Sequence, residues 1–289
     1  MKFIRFVDQH QVTQSAIGLT LNEVYIVPFE SYVDFYYHLK ENETTAENYI
    51  KENGLTPISI EEDSLDVPIE ADEVWASGVT YLKSKEARNY EATSGKLDAT
   101  TFYDKVYDAE RPEIFLKSTV RRTQGPNKEL YIRSDSNWQI PEPELGLVIG
   151  KGEEIIGYTL GNDMSCRDIE GENPLYLPQA KVWKKSCSIG PAILLPESIA
   201  DPYELSISCK ISREQEVVFE GNASINQLKR TLDELVQFLV RDNDILPGTV
   251  LLTGTCIVPH NEFTLAVGDV IEISSNRIGT LKNYVGAFQ

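Results

Sequence analysis

Polar and apolar positions alternate with a period of two over Lys2-Phe3-Ile4-Arg5-Phe6-Val7-Asp8, which predicts an opening strand. A second extended run follows at Val24-Tyr25-Ile26-Val27-Pro28. Two short helical stretches come next, around Tyr32 to Leu39 and Thr45 to Glu52, the latter stopped near Gly54 with Pro57 beyond. The acidic segment Glu61 to Glu70 predicts a connection, so residues 1–70 read as a small α+β domain and 71–289 as a second unit. Short β-branched runs divided by glycine and proline make that second unit β-rich. Strands are predicted at Leu130 to Arg133, Glu144 to Ile149, Ile155 to Leu160, Ala192 to Leu195, Glu204 to Ile211, Val217 to Phe219, Thr249 to Leu252 and Val270 to Ser274. Leu228, Leu232, Leu235 and Leu239 recur at i, i+4, i+7 and i+11 and predict one helix over Asn226 to Arg241. Another is predicted from Ser84 to Thr93.

Composition narrows the function classes. The 289 residues are 41% hydrophobic and 25% charged, an ordinary globular balance, with 27 basic against 45 acidic side chains and a net charge of −18. That charge repels nucleic acid and anionic membrane surfaces, and leaves small molecules as the expected partners. The sequence contains no apolar run of about 18 residues, and its start lacks the apolar core and cleavage site of a signal peptide, so a cytoplasmic protein is expected. Cys166, Cys187, Cys209 and Cys256 are widely spaced and far from the three histidines, a pattern that predicts reduced buried thiols rather than a zinc site.

Chemistry concentrates in Pro141-Glu142-Pro143-Glu144-Leu145-Gly146-Leu147-Val148-Ile149. Alternation in an extended chain points Glu142 and Glu144 the same way and puts Leu145, Leu147 and Ile149 on the opposite, apolar face. Two adjacent carboxylates repel unless they are solvated, share a proton or hold a cation. A solvent-facing edge strand would satisfy the first condition. Asp163, at the end of Gly157-Tyr158-Thr159-Leu160-Gly161-Asn162, offers a third carboxylate just after an apolar strand. If the two strands are neighbours, three hard oxygen ligands converge, a set suited to Mg²⁺, with Mn²⁺ or Ca²⁺ as alternatives.

In these motifs the chain resembles the fumarylacetoacetate hydrolase family from about Trp75 onward. The resemblance is carried, in order, by Gly78-Val79-Thr80-Tyr81, Phe115-Leu116-Lys117, Glu142 with Glu144, Gly161-Asn162-Asp163 with Arg167-Asp168, Ala180-Lys181, Gly190-Pro191, Thr253-Gly254-Thr255, Gly268-Asp269, and Gly279-Thr280-Leu281 with Asn283. It implies an α+β, β-rich fold: a mixed β-sandwich roll around a divalent metal held by Glu142, Glu144 and Asp163, behind the small N-terminal domain. It also implies a 2-oxo acid or 1,3-dicarbonyl substrate and a homodimer or homotetramer.

Two departures bear on the reaction. Hydrolases of the family carry a water-activating histidine where this chain has Ser84, and an aspartate three residues after the lysine where it has Lys184. Both departures, together with Arg111-Pro112-Glu113-Ile114-Phe115, resemble the sugar-acid dehydratase subgroup, whose chemistry needs no water nucleophile. The expected activity is metal-dependent removal of water from a 2-keto-3-deoxy sugar acid such as 2-dehydro-3-deoxy-D-arabinonate, that is, a lyase. A hydrolase or decarboxylase of a related 2-oxo acid, or a non-catalytic binding protein, are the competing expectations. Lys181, with a pKa lowered by a nearby cation, is a candidate for proton transfer or enolate stabilisation, or else a fixed positive charge, and Glu113 is its carboxylate partner, either as base or as an additional ligand directly or through water. Lys117 is expected to position an oxyanion. Ser84, Lys85, Arg167 and Thr255 are expected to bind substrate. Arg88 joins Ser84 and Lys85 at a helix start where free amides favour an anion.

Overall fold

The computed structural model describes residues 1–93 and 106–288. One large mixed sheet forms its spine, running in the order Glu23–Val27, Thr13–Thr20, Lys2–Val7, Cys187–Leu194, Ile155–Asp163, Pro143–Ile149, Val250–Thr255, Glu73–Gly78 and Glu113–Thr119. The N-terminal strands are therefore continuous with the strands that carry the acidic motif, joined by antiparallel pairing of Lys2 with Leu194 and Phe3 with Ile193. Val250–Thr255 runs parallel to Glu73–Gly78, while the neighbouring pairs are antiparallel. A second sheet takes the order Glu216–Ser224, Ser206–Arg213, Val270–Ser275, Gly279–Ala287 and Glu129–Ile132.

Two cores explain this layering. Leu145, Leu147 and Ile149 pack with Leu160 and Leu251 against Ile207, Ile211, Ile271, Ile273 and Leu281 of the second sheet. On the other face of the same strands, Val148, Ile156, Ile193, Val250 and Leu252 pack under Phe3, Tyr32, Phe35 and Leu39. Strands buried on both faces lose the clean polar alternation that marks a half-exposed strand. Each fully buried leucine or isoleucine here contributes about 1.5–3 kcal/mol, which fixes the register of Pro143–Ile149, since a one-residue slip would send Glu144 into the core.

The predicted helices at the N-terminus form as Tyr32–Glu41 and Ala46–Glu52, capped by the hydroxyls of Ser31 and Thr45. The acidic connection contains a 3₁₀ turn, Glu62–Ser64, and a two-residue strand, Leu65–Asp66, paired with Lys2–Val7. The single helix expected over Asn226 to Arg241 is shorter. A 3₁₀ turn at Ile225–Gln227 precedes an extended Leu228, and the helix spans Leu232–Val240. Thr231 sets that start, its hydroxyl accepting the amide of Glu234 in a T-x-x-E pattern. Thr13–Thr20, Glu73–Gly78 and Gly279–Ala287 are strands that the pattern alone did not single out.

Several of the motif residues act on the fold alone. Buried Asp269 receives Arg213 and the amide of Ala266. Asn283 accepts from Ser188 and donates to the carbonyls of Gly125 and Lys128. Asp168 accepts from Ser136 and the amide of Asn137.

Candidate metal centre and active site

Glu142 and Glu144 lie at the start of an interior strand, not on a solvent-facing edge. Pro143–Ile149 is flanked on one side by Ile155–Asp163 and on the other by Val250–Thr255. The pairing of Pro143 with Asn162 brings Asp163 to the same end, where the amide of Asp163 donates to the Glu142 carbonyl at 3.0 Å and the Asn162 side chain accepts the Glu142 amide at 3.2 Å. One oxygen from each of Glu142, Glu144 and Asp163 lies within 4.8 Å of the others.

Backbone irregularity supplies two more groups. Glu144 pairs with Thr255 and Gly146 with Leu252, so Val250–Thr255 carries one extra residue there. In that bulge Gly254 adopts φ +95° and donates its amide to Oε2 of Glu144 at 2.6 Å. A Cβ at 254 would fall 1.9 Å from Oγ1 of Thr80, so only glycine fits. A second register shift sits where Ser118 pairs with Val74 but Leu116 with Trp75, leaving Lys117 over. Lys117 Nζ stands 2.7 Å from Oδ1 of Asp163 and donates to the carbonyls of Met164 and Lys181.

Lys181 ends the short helix Leu177–Lys181. Its Nζ donates to Oε2 of Glu142 at 2.6 Å and to Oδ2 of Asp163 at 3.2 Å, and lies 3.9 Å from Oε1 of Glu170. Glu170, on helix Arg167–Glu172, pairs in turn with Arg88 of helix Leu82–Thr93. Lys117 is wholly buried, and Glu144, Asp163, Lys181 and Glu170 are each 1% exposed.

The electrostatics follow from this crowding. Burial alone would raise the Glu142 carboxyl, but Lys181 and Arg88 outweigh it and hold the group down to about 2. Burial, then Asp163 and Glu142, drive Glu144 well above the usual carboxylate range. Lys181 runs opposite to the lowering expected from the sequence: burial favours the neutral amine, yet Asp163, Glu142 and Glu170 prevail and raise its pKa, because the carboxylates touch the ammonium directly. Three buried hard oxygens, one driven toward protonation by the other two, are a donor set that a divalent cation would relieve.

The other expected residues are placed as follows. Glu113 faces Gly78 across the antiparallel pair, and its Oε2 is buried with no hydrogen-bond partner. Ser84 is spent locally: its hydroxyl donates to the Tyr81 carbonyl and accepts the Tyr81 amide. Lys85 lies over the Tyr107 ring, and buried Arg167 over Trp138. Thr255 pairs with Glu144 in the strand, but its hydroxyl binds the Ile257 turn. Glu170 was missed by sequence reasoning. Its only signal is a position three residues after Arg167, which nothing in the sequence distinguishes from Asp168 and Glu172 around it.

With this geometry in place, comparison with known proteins defines the class. The model of the fumarylacetoacetate (FAA) hydrolase C-terminal domain matches residues 84–286, and the chain belongs to the fumarylacetoacetate hydrolase family. Within it, the chain is 48% identical over 219 residues to a Haloferax volcanii protein named "Probable 2-keto-3-deoxyxylonate dehydratase", covering 76% of this chain and 74% of that one. It is 47% identical over 214 residues to the 2-dehydro-3-deoxy-D-arabinonate dehydratase of Saccharolobus solfataricus, covering 74% and 72%. A solved structure of 2-keto-3-deoxy-D-arabinonate dehydratase complexed with magnesium and 2,5-dioxopentanoate matches with a TM-score of 0.82 and 36% identity over the whole of both chains.

Proposed function

We propose that the chain is a Mg²⁺-dependent hydro-lyase that removes water from a 2-keto-3-deoxy sugar acid, of the pentonate class handled by its relatives. The observation that carries this reading is the clasp of Lys181 on Glu142 and Asp163 beside Glu144, three oxygen donors with a fixed cation, and no histidine at the expected water-activating position. Glu142, Glu144 and Asp163 would hold the ion, which when bound supplies Lewis-acid polarisation of a 2-oxo carboxylate.

The chain's own residues do the rest. Glu113, a buried carboxylate oxygen without a partner, takes the proton from C3. The C3–H electron pair becomes the C3–C4 double bond as the C4 hydroxyl departs, and the protonated Glu113 returns its proton to that hydroxyl, which leaves as water while the Lys181 ammonium stabilises the negative charge that develops. The resulting allylic alcohol isomerises with no external oxidant: the C5–H proton is transferred to C3, which leaves an enol, and the enol O–H proton then passes to C4, which leaves an aldehyde at C5. Lys117 fixes the Lys181 carbonyl and Asp163. Lys85, Arg88 and Arg167 supply positive charge for the substrate carboxylate. Ser84 and Thr255 shape the turns that carry this wall.

Residues 71–289 are assigned the chemistry and 1–70 a supporting role. Four free buried thiols fit a reducing, cytoplasmic compartment, and among the described residues no helix is long and apolar enough to cross a membrane. A homodimer or homotetramer belongs to the same proposal and is checked by light scattering. Incubation with a 2-keto-3-deoxy pentonate and Mg²⁺ tests the reaction: release of 2,5-dioxopentanoate supports it, whereas pyruvate or CO₂ would identify the hydrolase or decarboxylase instead. Tight binding without turnover would identify a binding protein.

A further inference from the structure

Lys181 occupies oxygens that the proposed metal ion needs. Its ammonium sits 2.6 Å from Glu142 and 3.2 Å from Asp163, both proposed ligands. A divalent cation among those carboxylates would compete for the same lone pairs and repel the ammonium with twice the force of a unit charge. The lysine cannot escape to water, being 1% exposed, and its carbonyl is held by Lys117 and by the Ser186 hydroxyl. Among the described residues a further acidic oxygen is close, Oε1 of Glu170 at 3.9 Å, about 1 Å beyond the length of an ammonium–carboxylate hydrogen bond. Glu170 is outside the three-carboxylate group and its backbone is fixed in helix Arg167–Glu172.

We propose that Glu170 is the alternate anchor of Lys181: as the divalent ion enters, the ammonium leaves Glu142 and Asp163 and closes onto Glu170, freeing the ligand oxygens while keeping a cation beside the substrate. The inference rests on the metal-centre reading above. Glu170 is in this sense a positioning residue. Arg88 already pairs with that same oxygen, so it holds the carboxylate in place and Glu170 would carry both cations.

The test is calorimetric titration of Mg²⁺, and separately Mn²⁺, into metal-free wild type, Glu170→Gln, Lys181→Met and the double variant, each first shown to be folded by its thermal melt. Glu170→Gln should bind the ion about tenfold more weakly, because the displaced ammonium has no counter-charge to move to. Lys181→Met should bind at least as tightly as wild type, and adding Glu170→Gln to it should then change nothing. Equal affinity of Glu170→Gln and wild type would overturn the inference, as would the same tenfold loss in both backgrounds, which would mean that Glu170 acts only by holding Arg88. If Glu170→Gln does not fold, Glu170→Asp, which keeps the charge on a shorter arm, should weaken binding only when Lys181 is present. Failure of the wild type to bind either ion would instead sink the metal-centre reading itself.

Discussion

Gly78 and Glu113 face each other across antiparallel strands, and the Glu113 carboxylate fills the place where a side chain at 78 would begin. An ideal Cβ on Gly78 would lie 1.8 Å from Oε2 and 2.6 Å from Cδ of Glu113. The obstructing atoms are the end of a flexible side chain, so Gly78→Ala should fold and push the carboxylate aside. A displacement of about 1 Å at a reacting group costs on the order of 10²-fold in rate. The expected result is a loss of that size in kcat with Mg²⁺ affinity unchanged, since Glu113 is not among the three clustered carboxylates. Steady-state kinetics with calorimetry checks it. Full turnover in Gly78→Ala would remove Glu113 from the proton transfer.

Asp269 sits in one of the family motifs yet touches nothing in the centre. It is buried, and holds Arg213 through bonds of 2.7 and 2.9 Å and the Ala266 amide at 2.9 Å. Asp269→Ala leaves those donors unpaired, at a cost of about 2 kcal/mol given that Arg213 stays partly solvated. Urea denaturation should show that loss while kcat stays within about twofold. A large fall in kcat without a fall in stability would give this aspartate a catalytic role.

Local patterns in the sequence made part of the molecule legible, and long-range packing decided the rest. The alternation around Glu142 and Glu144 is a local property of one strand, and its orientation was legible because Leu145, Leu147 and Ile149 must face a core. That the strand is interior was not legible, because strand neighbours are chosen by long-range packing. Nor was the destination of Lys117, which depends on a bulge in Glu113–Thr119, or of the Gly254 amide, which depends on another. The leucine stripe from 228 to 239 pointed to one helix, but the cap at Thr231 decided where helix began. Ser84 carried the right chemistry for an anion site and spent it on its own turn. Glu170 gained its meaning only when two helices brought Arg88 and Lys181 to it.

Glu154 provides an acid-sensitive contact between the N-terminal helix and the main sheet. Tyr37 and Lys40 reach its Oε1 at 2.8 and 3.0 Å, and the Gly152 amide reaches Oε2 at 2.8 Å. Burial opposes ionisation, but these bonds and that of its own backbone amide prevail and hold the carboxyl down to about 2, from 4.5. A carboxyl depressed in the folded state stabilises the fold above its unfolded pKa and loses that contribution as pH falls through the folded one. The window is therefore about pH 4.5 down to about 2. With a side chain 30% exposed, the contribution at neutral pH is about 1 kcal/mol after allowing for solvent screening. Wild type should exceed Glu154→Gln by that amount at pH 7 in urea denaturation, and the gap should close as the pH is lowered through that window. A gap that stays constant down to pH 3 would count against the assignment.

Glu144 and Asp163 should respond oppositely to loss of charge when no metal is present. Glu144 is driven toward protonation by burial and by Asp163 and Glu142, and its backbone donor, Gly254, can still bond an amide oxygen. Glu144→Gln therefore removes repulsion, and in chelator the variant should be more stable than wild type by about 1 kcal/mol. Asp163 instead neutralises two buried ammonium groups, Lys117 at 2.7 Å and Lys181 at 3.2 Å. Asp163→Asn takes from Lys117 the carboxylate it pairs with and leaves Lys181 to Glu142, and should cost about 3–5 kcal/mol. Wild type given Mg²⁺ at roughly a hundred times its Kd should gain about 2.7 kcal/mol, and both variants should lose that gain. Thermal melts with and without Mg²⁺ separate the two effects. If Asp163→Asn melts with wild type in chelator, the lysines are neutralised elsewhere; if Glu144→Gln keeps the full Mg²⁺-dependent gain, Glu144 is not a ligand.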